Sequence, residues 1–377
     1  MKRGIQGSLT RMNSGKEQFS TYFPYPLPPE INYPEIGKWL EKANTAIGEL
    51  NGVIEALPDP DSINYMYMKK EAVLSSQIEG KQSTFDDLLR YEASQTISVP
   101  VRDVVEISSY VKALDSGLER LHTLPVSLRL IREVHEVLLT DTRGSDKMPG
   151  EFRRSQNWIG GTRPGNAHFV PVGPDQISEA LDSFEKFMAH DDDLPILVKA
   201  AMLHYQFETI HAFLDGNGRV GRLLITLYLT AQGFLHTPYL YLSLFFKKHR
   251  SLYYEYLDTV RFTGDWEVWI NFFLEGIVET AEDAKNTLNQ IQTLFKKDTE
   301  AVNKIGRARL SATLVLEQFK QKPVLSISEI MSRTGYSRPT AISAVNRLRK
   351  LEILSVLKDK KTIQLYVYEK FVGMLRS

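Results

Sequence analysis

The chain has 377 residues, 42% hydrophobic and 24% charged, a composition typical of a folded protein with two or three domains. It contains no cysteine, which excludes disulfides, cysteine nucleophiles and cysteine-ligated metal centres. The first residues lack the apolar core of a secretory signal, and no apolar stretch reaches the length of a spanning helix. We therefore expect a soluble cytoplasmic protein with no membrane contact.

The C-terminal segment differs in charge from the rest of the chain, although 46 basic and 46 acidic residues give a formal net charge of zero. Residues 301–377 contain 15 Lys and Arg against 5 Asp and Glu, whereas the other residues contain 31 against 41. A basic segment on an acidic body indicates an anionic partner for that segment.

The apolar spacing predicts a mainly α fold after an N-terminal arm. In the arm, residues 1–35, a proline cluster over Phe23–Pro29 favours an extended polyproline conformation over helix or sheet. Between Arg143 and Pro174 the helical spacing is lost, and we predict a β-hairpin flap with strands near Gln156–Ile159 and His168–Val170. The predicted helices run from Ile36 to before Pro58, over Ser62–Ile78, from Ser83 or Thr84, and over Val104–Leu121, Val126–Thr140, Pro174–Ala189, Leu194–Glu208, Arg219–Gln232, Lys247–Arg261 and Trp266–Lys296.

The last segment resembles the winged helix-turn-helix family in its order of elements. Helices are predicted over Ala312–Phe319, from Ser326 and over Arg338–Leu351, and two short strands follow with a lysine-rich turn between them. Basic side chains on the last helix and in the turn are suited to DNA phosphates, with protein docking as the alternative. These residues are Arg338, Arg347, Arg349, Lys350, Lys358, Lys360 and Lys361.

The most informative segment is His211 to Arg222, which reads HAFLDGNGRVGR between two helical patterns. Its glycines permit a tight loop whose amides, at the start of the next helix, form an anion cradle. Arg219 and Arg222 are three residues apart and can grip neighbouring phosphates, Asp215 is suited to Mg²⁺, and His211 can deprotonate a hydroxyl. A lone histidine is more often structural and Asp-Gly-Asn-Gly more often a turn, but the combination points to attack of a hydroxyl on a nucleotide phosphate.

This segment resembles the signature of the Fic domain family, HxFx(D/E)GNGRxxR, with Ala212 where proline is common. The resemblance covers most of residues 25–280, including the flap segments Gly150–Arg153, Gln156–Gly161 and Phe169–Pro171, and Arg250–Tyr254. It implies a helical Fic core and the transfer of AMP from MgATP to a Ser, Thr or Tyr hydroxyl of a target protein, with self-modification as a further outcome. We predict an N-terminal arm and inhibitory region over 1–95, a catalytic domain over 96–297 and the winged-helix domain over 301–377.

The resemblance also implies roles for individual residues. His211 would be the general base, Asp215 the Mg²⁺ ligand, and Asn217 with the loop amides the support of the α-phosphate. Ile159 and Gly160 would hold a target segment by strand addition and touch the nucleotide. Tyr253 or Tyr254 would stack near the adenine, although a Tyr-Tyr pair on a helix is as typical of core packing. The remaining implied ATP-site residues are Glu79, Gly216, Gly218, Arg219, Val220, Gly221 and Arg222.

An inhibitory element is implied by Ser75-Ser76-Gln77-Ile78-Glu79-Gly80, which is similar to the family pattern (S/T)xxxE(G/N). Ser75 and Glu79 lie one turn apart on a helix that Gly80 ends. The resemblance implies that Glu79 pairs with Arg222, blocks the γ-phosphate seat and keeps the resting activity low. On ordinary surface statistics alone, Glu79 is a solvated residue before a glycine cap.

Three other functions fit the same residues. The chain could be a DNA-binding regulator, through residues 301–377, whose Fic core senses nucleotide without transferring it. It could remove AMP, with Glu79 orienting a water, or use another nucleotide donor. A homodimer is also compatible with the sequence.

Overall fold

The computed structural model describes residues 2–14, 17–57, 60–92, 100–140, 142–357 and 364–376. The strands are β1 (Gly7–Ser14), β2 (Glu17–Pro24), β3 (Val324–Ser326), β4 (Ser355–Leu357) and β5 (Leu365–Val367). The helices are α1 (Tyr33–Glu55), α2 (Pro60–Ile78), α3 (Phe85–Glu92), α4 (Val101–Arg120), α5 (Leu128–Leu139), α6 (Ile177–Ala189), α7 (Ile196–Ile210), α8 (Asn217–Ala231), α9 (Ser243–Lys248), α10 (Arg250–Thr263), α11 (Trp266–Asn303), α12 (Arg309–Gln321), α13 (Ile327–Thr334), α14 (Arg338–Lys350) and α15 (Glu369–Arg376).

The central helix pair is α7 and α8, which pack against each other and carry the 211–222 segment at their junction. Every α7 residue after the first is buried, which fits a helix that is apolar on nearly all sides and enclosed by neighbours. Around this pair, α2 packs on α4 and α9, and the ends of α4 and α5 pack on α8. The C-terminal end of α2 is therefore held against the start of α8.

The predicted mainly helical architecture is confirmed, and most helix limits agree within a few residues. The predicted stop at Gly80 is confirmed, since this residue has φ +86° and the Lys81 amide donates to the Ser76 carbonyl at 3.2 Å. The predicted helix Lys247–Arg261 is wrong as a single element, because α9 and α10 are separate and meet at His249, whose backbone is not helical. Within the described ranges, no helix combines the length and apolar character needed to cross a membrane.

The prediction of an extended polyproline arm over residues 1–35 is wrong for Gly7–Ser14 and Glu17–Pro24, because these segments form the antiparallel hairpin of β1 and β2. An isolated two-stranded hairpin is marginal in water, and this one is stabilised by the body of the protein. Tyr22 is 1% exposed, its ring packs near Phe169 and Phe262, and its amide donates to the Val170 carbonyl at 3.0 Å. The aromatic and β-branched residues of β2 favour a strand and could have indicated it from the sequence.

The flap has less strand structure than predicted. The two predicted strands reduce to one antiparallel bridge between Ile159 and Phe169, with a short 3₁₀ turn over Pro164–Asn166 between them. The hairpin connection is present, but irregular backbone replaces most of the ladder. Because β2 bonds to Val170, the N-terminal hairpin lies directly beside this flap.

The C-terminal segment follows the predicted order of helices and strands, with β3 and α15 added. Strands β3, β5 and β4 form an antiparallel sheet in that order. A capping box between Ser326 and Glu329 starts α13, and Gly335 at φ +71° makes the turn to α14. The predicted wing lysines 358, 360 and 361 lie outside the described residues.

Candidate active site

The 211–217 loop is closed by the side chain of Asn217. Its Oδ1 accepts from the Phe213 amide and its Nδ2 donates to the Phe213 carbonyl, both at 2.8 Å. Two left-handed residues shape the loop, His211 at φ 51° and Gly216 at φ 80°. The Asn217 side chain was predicted to support an α-phosphate. In the structure its oxygen and its nitrogen are both hydrogen-bonded to the Phe213 backbone within the loop.

A cavity of about 210 Å³ lies over this loop. It is bounded by the end of α2 on one side and by the loop and first turn of α8 on the other. The residues around it are Ser76, Glu79, Lys81, Glu106, His211, Leu214, Asp215, Gly216, Asn217, Gly218 and Arg219. The tertiary structure thus brings the predicted base His211, the predicted metal ligand Asp215 and the predicted inhibitory residue Glu79 to one cavity.

His211 is held in a neutral form. Its Nδ1 contacts the Glu208 carbonyl at 3.4 Å, and Nε2 has no hydrogen-bond partner among the described residues. The pKa of His211 is lowered to about 4, mainly by burial and also by the charges of Arg153 and Arg261, against opposing effects of the Glu208 carbonyl and Glu79. The imidazole is therefore neutral near pH 7, and its unpartnered nitrogen can accept a proton.

Two flap residues with no predicted role hold the His211 backbone. The Arg153 Nε donates to the His211 carbonyl at 2.9 Å, and the Asn157 Nδ2 donates to the same carbonyl at 3.1 Å and to that of Phe213 at 2.9 Å. Burial lowers the pKa of Arg153 to about 10. The family-like flap segments contain both residues, but nothing in the sequence shows that their partners are carbonyls of the catalytic loop.

His135 supports the loop from α5. Its ring stacks on Phe213 with centroids 3.7 Å apart, its Nδ1 accepts from the Gly150 amide at 2.9 Å, and its Nε2 lies 3.0 Å from the Asp215 carbonyl. The neutral tautomer with hydrogen on Nε2 satisfies both bonds, and burial lowers the pKa of His135 to about 4. The sequence offered no signal for this residue beyond its place on an amphipathic helix.

Asp215 has room for a metal ion. Its side chain is 37% exposed, Oδ1 accepts from the Gly216 amide at 2.6 Å and lies 3.5 Å from Arg219, and Oδ2 has no hydrogen-bond partner among the described residues. In that part of the chain, no group of three or more acidic or histidine side chains could hold a metal alone. A single carboxylate fits Mg²⁺ when phosphate oxygens and waters complete the shell.

The two motif arginines lie near the cavity, and both are paired with carboxylates. Arg219 is 3.5 Å from Glu106 on α4 and 3.5 Å from Asp215. Arg222 donates from Nη2 to Glu79 Oε1 at 2.8 Å. Arg222 is thus held by a short bond to Glu79, whereas Arg219 has only longer contacts with its two carboxylates. Glu106 was not predicted, because it belongs to the buried face of an ordinary amphipathic helix.

The predicted contact between Glu79 and Arg222 is present in the structure, and Ser75 contributes to it. The Arg222 Nε donates to Ser75 Oγ at 2.8 Å, and its Nη2 also donates to the Ser75 carbonyl at 3.1 Å. Burial raises the pKa of Glu79, but the charge and hydrogen bond of Arg222 outweigh it and hold the pKa below its usual value. The pKa of Arg222 is raised, because Glu79 and other nearby groups outweigh its burial.

The glycines of α8 make room for these side chains. A Cβ on Gly218 would lie 2.5 Å from Glu79 Oε1 and 3.2 Å from Arg222 Nη1. A Cβ on Gly221 would overlap a carboxylate oxygen of Glu208. Val220, by contrast, is 1% exposed and packs in the core.

The other predicted nucleotide-site residues, in the flap and on α10, differ in their exposure to solvent. Ile159 is half-buried and uses its amide and carbonyl in the flap bridge, whereas Gly160 is exposed at φ 69°. Tyr253 is 1% exposed, and its hydroxyl lies 2.9 Å from His204 Nε2, so its ring is a core ring in this structure. Tyr254 is 38% exposed, and of the two tyrosines it alone presents its ring to solvent.

Comparison with known families finds two matching regions. Residues 38–119 match the family described as Fic/DOC family N-terminal, and residues 125–229 match the one described as Fic/DOC family. Protein adenylyltransferase Fic of Drosophila persimilis is 29% identical over 213 residues, which are 55% of this chain and 38% of that protein. The protein of the same name from Aedes aegypti is 33% identical over 153 residues, which are 40% of this chain and 27% of that protein. The chain thus spans well under half the length of these curated relatives.

Solved structures of Fic proteins share the fold. A Fic family protein from Desulfovibrio desulfuricans G20 superposes with a TM-score of 0.59 at 19% identity, over 91% of this chain and 98% of that one. Fic-1 from C. elegans superposes with a TM-score of 0.52 at 19% identity, over 68% of this chain and 75% of that one. The chain therefore contains both Fic/DOC family regions, at residues 38–119 and 125–229, and its helical architecture is shared with these solved Fic proteins.

Proposed function

We propose that this chain transfers AMP from ATP to a hydroxyl side chain of a protein. The observation that carries the proposal is the position of His211, which has an unpartnered Nε2 among the described residues and borders one cavity with the loop and the first turn of α8. The names of its curated relatives, protein adenylyltransferase Fic, support the same reaction class.

In the proposed reaction, the hydroxyl oxygen attacks the α-phosphorus and a new oxygen–phosphorus bond forms. The bond from the α-phosphorus to the bridging oxygen breaks, pyrophosphate leaves, and the hydroxyl proton passes to His211 Nε2. Because the pKa of His211 is lowered to about 4, its imidazole is available as a base at neutral pH.

The two motif arginines, and a Mg²⁺ ion bound by Asp215, would neutralise the negative charge of the phosphates. Arg219 and Arg222 would stabilise the negative charge of the leaving pyrophosphate, since phosphoryl-group transfer depends mainly on positioning and charge neutralisation. Asp215 would hold Mg²⁺ through its exposed carboxylate, and the ion, when bound, neutralises phosphate charge. Asn217 would act through the loop, by fixing the Phe213 backbone between His211 and Gly216.

We also propose that Glu79 restrains the reaction. Its carboxylate accepts a hydrogen bond from the Arg222 guanidinium, which would otherwise bind the γ-phosphate. The Ser75 hydroxyl accepts a second hydrogen bond from the same guanidinium. ATP would then bind weakly or in an unproductive position until the end of α2 moves away.

The test is intact-protein mass spectrometry of the wild type, Glu79→Gly and His211→Ala after incubation with MgATP and a lysate. We expect a gain of one adenylyl group on the chain or on a lysate protein, larger with Glu79→Gly and lost in Glu79→Gly/His211→Ala. No gain in any form, including Glu79→Gly, would refute AMP transfer from ATP.

For residues 301–377 we propose a winged-helix module that contacts DNA phosphates. Four basic residues, Arg338, Arg347, Arg349 and Lys350, are exposed on α14, as a helix that contacts phosphates requires. Fluorescence anisotropy of the full chain with duplex DNA at low salt would test this. We expect Arg347→Glu/Lys350→Glu to weaken binding and Arg129→Glu, exposed on the catalytic body, to leave it unchanged. Absence of binding at low salt would refute this role.

A further inference from the structure

Lys81 is a third cation at the cavity over the catalytic loop. Its Nζ lies 3.0 Å from Glu106 Oε1 and 3.5 Å from Asp103 Oδ1, and its side chain is 16% exposed. It follows Gly80 directly and borders the same cavity as His211 and Asp215. This places a primary amine, besides the two motif arginines, next to the proposed phosphate seat.

At rest, carboxylates outnumber cations around this cavity. Lys81, Arg219 and Arg222 face Glu79, Asp103, Glu106 and Asp215, and each cation is paired with at least one of these carboxylates. A nucleotide triphosphate is strongly anionic, and burying it beside carboxylates is unfavourable unless cations are released to it. Entry of ATP therefore requires cations that can change partner.

Glu106 is shared by two cations. Oε1 contacts Lys81 at 3.0 Å, while Oε2 lies 3.5 Å from Arg219, beyond a good hydrogen bond. The backbone of Lys81 is fixed, because its amide donates to the Ser76 carbonyl at the end of α2. Its four-carbon side chain can still exchange Glu106 for a phosphate oxygen, because a lysine ammonium is a point charge with no fixed bonding plane.

Ser76 supplies an independent observation. It borders the same cavity, is 1% exposed, and its Oγ has no hydrogen-bond partner among the described residues. A buried hydroxyl without a partner is unfavourable, and an anionic oxygen in the cavity would satisfy it. The end of α2 thus offers a hydroxyl and an ammonium to the same ligand.

We propose that Lys81 is a phosphate-binding residue of the nucleotide site, held on Glu106 and Asp103 at rest. When the nucleotide enters, the Lys81 ammonium leaves Glu106 and Asp103 and transfers to oxygens of the β- or γ-phosphate. This inference rests on the proposed AMP transfer and adds to it a residue outside the 211–222 motif.

The test is isothermal titration of ATP, ADP and AMP, each with Mg²⁺, into Glu79→Gly and Glu79→Gly/Lys81→Met. We expect the Kd for ATP to rise about tenfold in the double variant, the effect of losing one hydrogen bond to a charged group. The Kd for AMP should stay the same, because AMP lacks the outer phosphates. Lys81→Arg should restore most of the ATP affinity. Lys247→Met is the matched control, because this exposed lysine bonds Gln77 of the same helix and does not border the cavity.

Two outcomes would overturn the proposed role of Lys81 while leaving the proposed AMP transfer intact. Equal Kd values for ATP in Glu79→Gly and its Lys81→Met derivative would show that the ammonium does not touch the phosphates. An equal loss of ATP and AMP affinity would show that Lys81 only supports the structure. If Glu79→Gly itself binds none of the three nucleotides, the proposed function fails and this inference fails with it.

Discussion

Replacing Glu79 by glycine should release the proposed nucleotide site. In the structure its carboxylate receives a 2.8 Å hydrogen bond from Arg222, whose side chain is 2% exposed while that of Glu79 is 39% exposed. A hydrogen bond to a charged group contributes about 1.5–3 kcal/mol, and the exposure of Glu79 favours the lower half, about 1.5–2 kcal/mol. ATP must overcome this free energy to reach Arg222.

The expected effect on rate follows from that free energy. If the competent state is less populated by this amount, the apparent affinity for ATP falls in proportion, which is about 10- to 30-fold. Initial rates of AMP incorporation, measured at ATP concentrations below KM, should therefore rise about 10- to 30-fold in Glu79→Gly. Glu79→Ala should behave alike, because it removes the same carboxylate without adding a glycine to the backbone.

The control variant is Glu79→Gln, which keeps the side-chain size and an acceptor oxygen but loses the charge. We expect a smaller rise for it than for Glu79→Gly, since only part of the interaction is lost. Equal initial rates for the wild type, Glu79→Gln and Glu79→Gly, in an assay where His211→Ala abolishes the signal, would refute this reasoning.

Three further predictions concern the catalytic loop and its neighbours. The pKa of His211 is lowered to about 4, mainly by burial, so the imidazole is deprotonated above that pH. The kcat/KM of Glu79→Gly should therefore not fall through protonation of His211 between pH 7 and pH 5.5. A fall in kcat/KM with a midpoint near pH 6.5 would contradict this. A Cβ on Gly218 would lie 2.5 Å from Glu79 Oε1, so Gly218→Ala should lower the free energy of unfolding more in the wild type than in Glu79→Gly. A double-mutant cycle by denaturant unfolding measures this difference. Additive effects of the two substitutions would count against the contact. Asn217→Ala leaves the buried Phe213 amide without its partner, while the Phe213 carbonyl keeps its bond from Asn157. It should destabilise the fold by about 1–3 kcal/mol in the same assay, whereas an unchanged unfolding midpoint would show that the loop closes without Asn217.

The local parts of the site could be predicted because they depend on short spacings. Ser75 and Glu79 are one helical turn apart, so both reach Arg222 once α2 ends at Gly80. The glycines of the 211–222 segment indicated a tight loop before a helix. The loop and helix are present, but α8 begins at Asn217, two residues before the predicted start at Arg219. A resemblance to a known family then connected the two segments.

The N-terminal hairpin shows where local reasoning stopped. The prolines after Phe23 favoured an extended arm, and that interpretation gave no weight to the Ser-Gly dipeptide at 14 and 15, a turn signal between the sequences of β1 and β2. Their pairing is stabilised by burial of Tyr22 and by its hydrogen bond to Val170, about 150 residues away in the chain. A contact of that separation is decided by packing rather than by residue preference.

The sequence by itself determined the helical character of the chain, the tight loop before α8 and the one-turn spacing of Ser75 and Glu79, because helix periodicity and glycine conformation act within a few residues. Only the tertiary structure decided which carboxylate neutralises which cation. Glu106 reaches both Lys81 and Arg219 because α2, α4 and α8 converge there, and Arg153 and Asn157 reach the His211 carbonyl because the flap folds over α7. Such partners are chosen by the packing of whole elements, so no spacing along the chain records them.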